Sequence, residues 1–159
     1  MCGLSKFITV LLIVFLGACS GPRHFEPVQP ASSDEGVLYI YRPKADNPGV
    51  QPLRYSYPDM ILDGESVGVL KFKTYKHLRL RPGKHLLKAT GLTEQASWEE
   101  KDKELQFDIQ PGEIKYLKLS VQYNLSEMDL LQPGARYLLY ITPVDAKAAL
   151  YEIRDTNPE

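Results

Sequence analysis

Apolar residues in this chain come in short runs, and several runs have a two-residue period. Leu105, Phe107 and Ile109 alternate with Glu104, Gln106 and Asp108, which predicts a strand with one buried and one wet face. Leu78 and Leu80 alternate with His77 and Arg79 in the same way. Val37-Leu38-Tyr39-Ile40-Tyr41 is different: it is apolar on both parities, which predicts a strand covered on both faces. Tyr137 to Ile141 has the same character. Ile114 to Tyr123 is long, and its apolar phase slips between Tyr116 and Leu117, which predicts a bulge or a change of face. Met60-Ile61-Leu62 and Val67-Gly68-Val69-Leu70 flank Asp63-Gly64, a dipeptide suited to a tight hairpin turn.

Pro82-Gly83, Pro111-Gly112 and Pro133-Gly134 punctuate these runs, and a strand pattern follows each. Proline presets the second position of a type II turn, and glycine supplies the positive φ at the third. One helix is predicted from Pro143 to about Ile153. Thr142 serves as its N-cap, and Val144, Ala148 and Tyr151 lie on its apolar face. About eight short strands joined by such turns predict an all-β fold, an antiparallel β-sandwich with a short C-terminal helix. A closed barrel is the alternative.

The segment Ile61-Leu62-Asp63-Gly64-Glu65-Ser66-Val67-Gly68, followed by Pro82-Gly83-Lys84-His85, resembles PEGA-type surface modules. Together with Leu38-Tyr39-Ile40-Tyr41-Arg42-Pro43 it is similar to a family of bacterial lipoproteins known as domain of unknown function twenty-eight forty-six. The resemblance spans about Gly36 to Ile141. It implies a transthyretin-like sandwich and brings no catalytic residues with it. The Pro-rich stretch from Pro43 to Pro58 departs from the pattern.

The start of the chain follows another rule. Lys6 precedes an apolar run from Phe7 to Leu16, broken only by Thr9, and Gly17-Ala18-Cys19 follows. The run is about half the length a membrane-spanning helix needs, so it predicts a cleaved signal segment, residues 1–18. Leu16-Gly17-Ala18-Cys19 resembles a bacterial lipobox, which implies lipid attachment at Cys19. Several acyl chains are needed for a firm anchor. Ser20, in place of an aspartate, resembles the outer-membrane sorting rule of cells with two membranes. Cys2 would leave with the signal and Cys19 would be blocked, which excludes disulfide, thiolate-metal and cysteine-nucleophile chemistry. The covalent lipid is the only attached group expected, with no cofactor. Residues 19–35 are expected to form the lipidated cysteine and a flexible tether, 36–154 the sandwich, and 155–159 a tail.

A net charge of -1, from 19 basic and 20 acidic residues, offers nothing to nucleic acid. That average hides a segregation. Residues 66–93 carry Lys71, Lys73, Lys76, Arg79, Arg81, Lys84 and Lys88 and no acid, whereas 94–113 are strongly acidic. Lys71, Lys73, Arg79, Arg81 and Lys84 form a candidate binding face for anionic envelope lipid or glycan. The alternative is neutralisation by the acidic segment if the two lie side by side. Tyr55 and Tyr57 form a candidate recognition loop. His77 and His85, read as flanking the Pro82-Gly83 turn on paired strands, are too few ligands for a zinc site. Glu99, Glu100 and Asp102 are paired carboxylates in a charge-rich loop, which fits a solvated connection better than a hydrolase pair, and Trp98 beside them suits a lid over the sheet edge, the alternative being a sugar-stacking platform. These features favour a lipid-anchored envelope protein that binds a protein or cell-wall partner rather than an enzyme.

Overall fold

The computed structural model describes residues 25–44, 57–97, 101–123 and 137–159. In chain order its elements are β1 (Gly36–Arg42), β2 (Asp59–Leu62), β3 (Glu65–Val69), β4 (Thr74–Leu80), β5 (Gly83–Thr90) and β6 (Leu92–Thr93). Then follow β7 (Ala96–Ser97), β8 (Lys103–Ile109), β9 (Ile114–Tyr123), β10 (Tyr137–Val144), α1 (Ala146–Ile153) and β11 (Asn157–Pro158). One sheet has the order β10-β9-β1-β4-β11 and the other β3-β2-β5-β8, while β6 and β7 make a small separate hairpin. The fold is an all-β sandwich. Its strand pairs are antiparallel except β1 with β9 and β4 with β11.

The core lies between the sheets. Leu38 and Ile40 of β1, Leu117 and Leu119 of β9, Leu87 of β5 and Ile109 of β8 meet there, all at most 1% exposed. The sheets approach closely at Gly36, where a Cβ would stand 2.6 Å from Ile109 Cδ1.

The two outward faces differ. On the second sheet, β8 keeps Glu104, Gln106 and Asp108 in solvent while Leu105, Phe107 and Ile109 point inward, as the alternation predicts. On the first sheet, the outward residues of β1 and β9 form a second cluster. Val37, Tyr39, Tyr41 and Tyr116 are buried there beneath Ala149 and Ile153 of α1. The two-parity pattern of β1 therefore reflects two covered faces. The phase change at Tyr116 and Leu117 is not a bulge, because β9 stays in continuous register with both neighbours. Tyr116 belongs to the outer cluster and Leu117 to the inner one. Tyr137 to Ile141 departs from expectation. It lies in an edge strand, so Leu138 and Tyr140 remain 36% and 43% exposed.

The helix begins later than its sequence suggests. Pro143 and Val144 still pair with β9, and Asp145 is the N-cap, accepting from the Ala148 N–H at 3.0 Å. That shift turns the buried face to Ala149 and Ile153 and leaves Tyr151 64% exposed, with Arg154 stacked 3.9 Å from its ring centroid.

Two segments expected to lie outside the sandwich, one a tether and one a tail, pack against it. Within the expected tether, Phe25 meets the Tyr39 and Tyr75 rings edge-on at 5.6 and 5.3 Å. The Val28 N–H donates to the Tyr39 hydroxyl at 2.8 Å, and Glu35 pairs with Arg79 at 2.6 Å. An open aromatic sheet face is a better environment for Phe25 than water. Within the expected tail, Asn157–Pro158 adds a strand to β4.

Candidate functional site

The hairpin turn between β2 and β3 is Asp63-Gly64, with φ of 53° and 92°, as a type I′ turn requires. Its carboxylate reaches across to β5. Asp63 Oδ1 accepts from the Leu86 N–H at 2.9 Å, and Oδ2 lies 2.6 Å from His85 Nδ1. The other ring nitrogen of His85, Nε2, lies 2.8 Å from the Arg81 carbonyl. Both neighbours are acceptors, an arrangement that favours the imidazolium form of His85, with a proton on each ring nitrogen. Burial opposes that charge. The Asp63 and Arg81 hydrogen bonds, with the charges of Asp63 and Asp108, outweigh it and raise the His85 pKa. Burial likewise works to raise the Asp63 pKa, but His85 and the Leu86 N–H hold it below the ordinary carboxylate value.

This contact accounts for the two sequence motifs as one object. The Asp-Gly turn and the Pro-Gly-x-His turn meet through the Asp63 and His85 side chains, which tie the two connections together. The pair has no spare nitrogen to accept a substrate proton, so in this arrangement it clamps the fold.

The other histidine is elsewhere. β4 and β5 lie in different sheets, so Pro82-Gly83 links the two layers rather than closing a hairpin. Gly83 accordingly opens β5 at φ 137°, whereas Gly112 has the 75° of a type II turn. His77 lies against Tyr39 on the outer face of the first sheet, and His85 stacks on Phe107 in the second. The two are not brought together. Among the described residues, no three His, Cys, Asp or Glu side chains are grouped to hold a metal.

The basic segment is divided among three places. Lys71 and Lys73 sit in the connection before β4, not on the strand. Lys71 Nζ pairs with Glu159 at 2.9 Å, and Arg79 on the outer face pairs with Glu35. On the second sheet, Lys88 lies opposite Glu104 and bonds it at 3.0 Å, with Asp102 at 3.5 Å. Lys84 faces Asp108 across the same ladder. The acidic segment therefore does lie beside the basic one in β5 and β8, and cross-strand pairing offsets much of the charge there. Arg81 and Lys84 are exposed and Lys73 is half-buried. Of the carboxylates considered for hydrolysis, Asp102 is engaged with Lys88. Glu99, Glu100 and Trp98 lie outside the described residues, as do His24, the Pro133-Gly134 pair and the whole of 1–18 with Cys19.

Tyr57 is half-buried, just before Pro58, and Tyr55 lies outside the described residues. The Leu70 N–H donates to the Pro58 carbonyl at 2.9 Å, which holds this strand entry against the β3–β4 connection. Nearby, sequence reasoning missed a set of buried polar groups at one end of the sandwich. Arg42, Asp59 and Thr90 are all under 5% exposed. Burial pushes the Arg42 pKa down to about 10, with the nearby Tyr57 opposing it, and its guanidinium lies 5.9 Å from the Phe72 ring centroid. Asp59 accepts from the Ser66 hydroxyl at 2.7 Å. No local sequence signal marks these residues as buried.

No protein-family model matches this chain, and no curated protein does. The reading of its function therefore rests on its own residues.

Proposed function

We propose that this protein is a lipid-anchored lipoprotein of the bacterial cell envelope, carrying a non-catalytic β-sandwich that binds an envelope protein or cell-wall material. The observation that carries the reading is Leu16-Gly17-Ala18-Cys19 at the end of a short apolar run. Ser20 favours the outer membrane, facing the periplasm. Docking of Phe25 changes the geometry of the anchor. Only residues 20–24 would separate the lipidated Cys19 from the docked segment, and five residues reach at most about 18 Å. The sandwich would then sit close to the bilayer surface rather than at the end of a long leash. Among the described residues, no helix is long and apolar enough to cross a membrane.

Cys19→Ala should abolish labelling by radioactive palmitate and release the protein from the membrane fraction. Labelling that persists in the variant would overturn the anchor. Cross-linking in intact envelopes at native abundance should recover a discrete partner, and repeated failure to recover one would count against the interaction module. The alternative, a binder of anionic lipid or glycan, is less well supported because Lys71 and Arg79 are already paired with carboxylates of this chain.

A further inference from the structure

The last residues of the sequence sit in a receptor made by the start of β4. Glu159 is held at both oxygens, and its side chain is only 12% exposed. Oε1 pairs with Lys71 Nζ at 2.9 Å. Oε2 accepts from the Lys71 N–H at 3.2 Å, faces the Thr74 hydroxyl at 3.1 Å, and lies 3.8 Å from Lys76 Nζ. Burial opposes the carboxylate charge, yet these donors hold the Glu159 pKa below its ordinary value.

The backbone is prepared for the same occupant. The Asn157 N–H donates to the Lys73 carbonyl at 2.8 Å, and the Glu159 N–H donates to the Tyr75 carbonyl at 3.0 Å. Lys73 has φ 60°, one of two non-glycine residues among those described with positive φ. That conformation is uncommon for a side chain of this size and is spent on presenting the carbonyl that receives the strand. Pro158 faces away and has no N–H, so the outer side of β11 lacks a ladder donor at that point.

The occupant covers little of the edge. β11 pairs only with Thr74 and Tyr75. Backbone groups alternate sides along a strand, so those of His77 and Arg79 point to the same edge as those of Tyr75. No described strand pairs with them. An edge that the described strands leave unpaired is a template for an added strand.

We propose that this edge is a carboxylate-reading strand-addition site, and that Asn157–Glu159 is its intramolecular occupant. A partner's extended acidic segment, running parallel to β4, displaces it. The partner's carboxylate takes the Glu159 position, and its following residues continue the ladder along His77 and Arg79. The charge of the receptor fixes the chemistry of the partner, because Lys71 and Lys76 both face the seated carboxylate. The resident segment is a short ladder and one carboxylate, so its advantage over a partner is its tether to the same chain. This proposal rests on the interaction-module reading and names its surface.

The test uses the full chain in mild detergent and a fluorescent, end-capped peptide, Arg-Asp-Thr-Asn-Pro-Glu-Thr-Val-Thr-Val. It repeats residues 154–159 and adds four strand-forming residues. Fluorescence anisotropy should show weak binding to the intact chain and binding about tenfold tighter to Glu159→Gln, whose own carboxylate is gone. Asn157→Pro, which removes a ladder donor, should act in the same direction and serves if Glu159→Gln folds poorly. Adding Lys76→Met and Thr74→Val to either should remove the gain, as should glutamine in place of the peptide's glutamate. Equal affinity for the intact and released chains, or for the Glu and Gln peptides, would overturn the proposal. So would light scattering showing that the released chain pairs with a second copy of itself instead of the peptide. A cross-linked envelope partner on another face, with no peptide binding here, would remove this site and leave the interaction module standing. Tight peptide binding with no cross-linked partner would do the reverse.

Discussion

The two sheets share one core but treat their outward faces differently. The outer side of the second sheet is a wet ladder of alternating charge, in which Lys88 meets Glu104 and Lys84 faces Asp108. The middle of the outer side of the first sheet is buried under α1 and the Phe25–Glu35 segment. There four tyrosines, Tyr39, Tyr41, Tyr75 and Tyr116, take the place of aliphatic residues. Tyrosine suits a face closed by loosely regular cover, because its ring is apolar and its hydroxyl can satisfy an irregular backbone. Tyr39 accepts from Val28 through that hydroxyl, and Tyr41 donates to Glu152 at 2.8 Å. Glu152 also takes Lys118 Nζ at 2.7 Å, which ties the helix to β9. One sheet is therefore stabilised by burial on both sides, the other by burial on one side only.

The largest effect should come from the shared core. Ile40→Ala, at a fully buried position, should cost about 2–5 kcal/mol in urea unfolding. Ile153→Ala decides whether the outer face of the first sheet is a second core. A cost near that of Ile40→Ala, about 2–5 kcal/mol, is expected from its complete burial under the helix. A cost within about 0.5 kcal/mol would reduce α1 to a peripheral feature.

Tyr41→Phe should cost about 1 kcal/mol, since it removes one hydrogen bond but leaves Glu152 paired with Lys118. Asp145→Ala should cost a similar amount, about 1 kcal/mol, through the lost helix cap. Both are readable in the same unfolding experiment.

The Asp63–His85 clamp predicts a smaller, pH-dependent change. The His85 pKa is raised on folding, so its contribution is fully present below 6.5 and is lost as pH rises through the folded value. The Asp63 pKa is lowered, so its contribution is present above 3.8 and is lost as pH falls through the folded value. Stability from this pair should therefore be greatest between those limits. His85→Asn should flatten the upper limb of a melting-temperature profile, with an amplitude below about 1 kcal/mol because Asp63 is half-exposed. On the wet face, Lys88→Ala should leave the unfolding midpoint unchanged within error. A clear loss there would show that the charge ladder stabilises more than exposed pairs usually do.

Legibility in the sequence followed the range of each interaction. The alternation of β8 and the Asp63-Gly64 turn are local, and both were readable as they stand. The doubled parity of Val37 to Tyr41 announced two covered faces without saying what covers them. In the helix, Thr142-Pro143 imitates a cap, but pairing of Pro143 and Val144 with β9 extends the strand and hands capping to Asp145. Within the candidate site, His85 is visible as a motif residue, yet its partner Asp63 stands 22 positions away and its local context marks it only as a turn former. Glu159 carried no signal at all, since its receptor lies 85 to 88 positions earlier in the chain.

The sequence by itself determined the longer strands, the turn chemistry, the all-β class and the presence of a short C-terminal helix, because periodicity and dihedral preference act within a few residues. Only the tertiary structure decided that the chain around Phe25 and Glu159 is docked, that β4 and β5 lie in different layers, and where the basic residues find their acids. Those outcomes depend on which distant surfaces meet, and a side chain's charge or ring states what it can pair with but not where that partner will be.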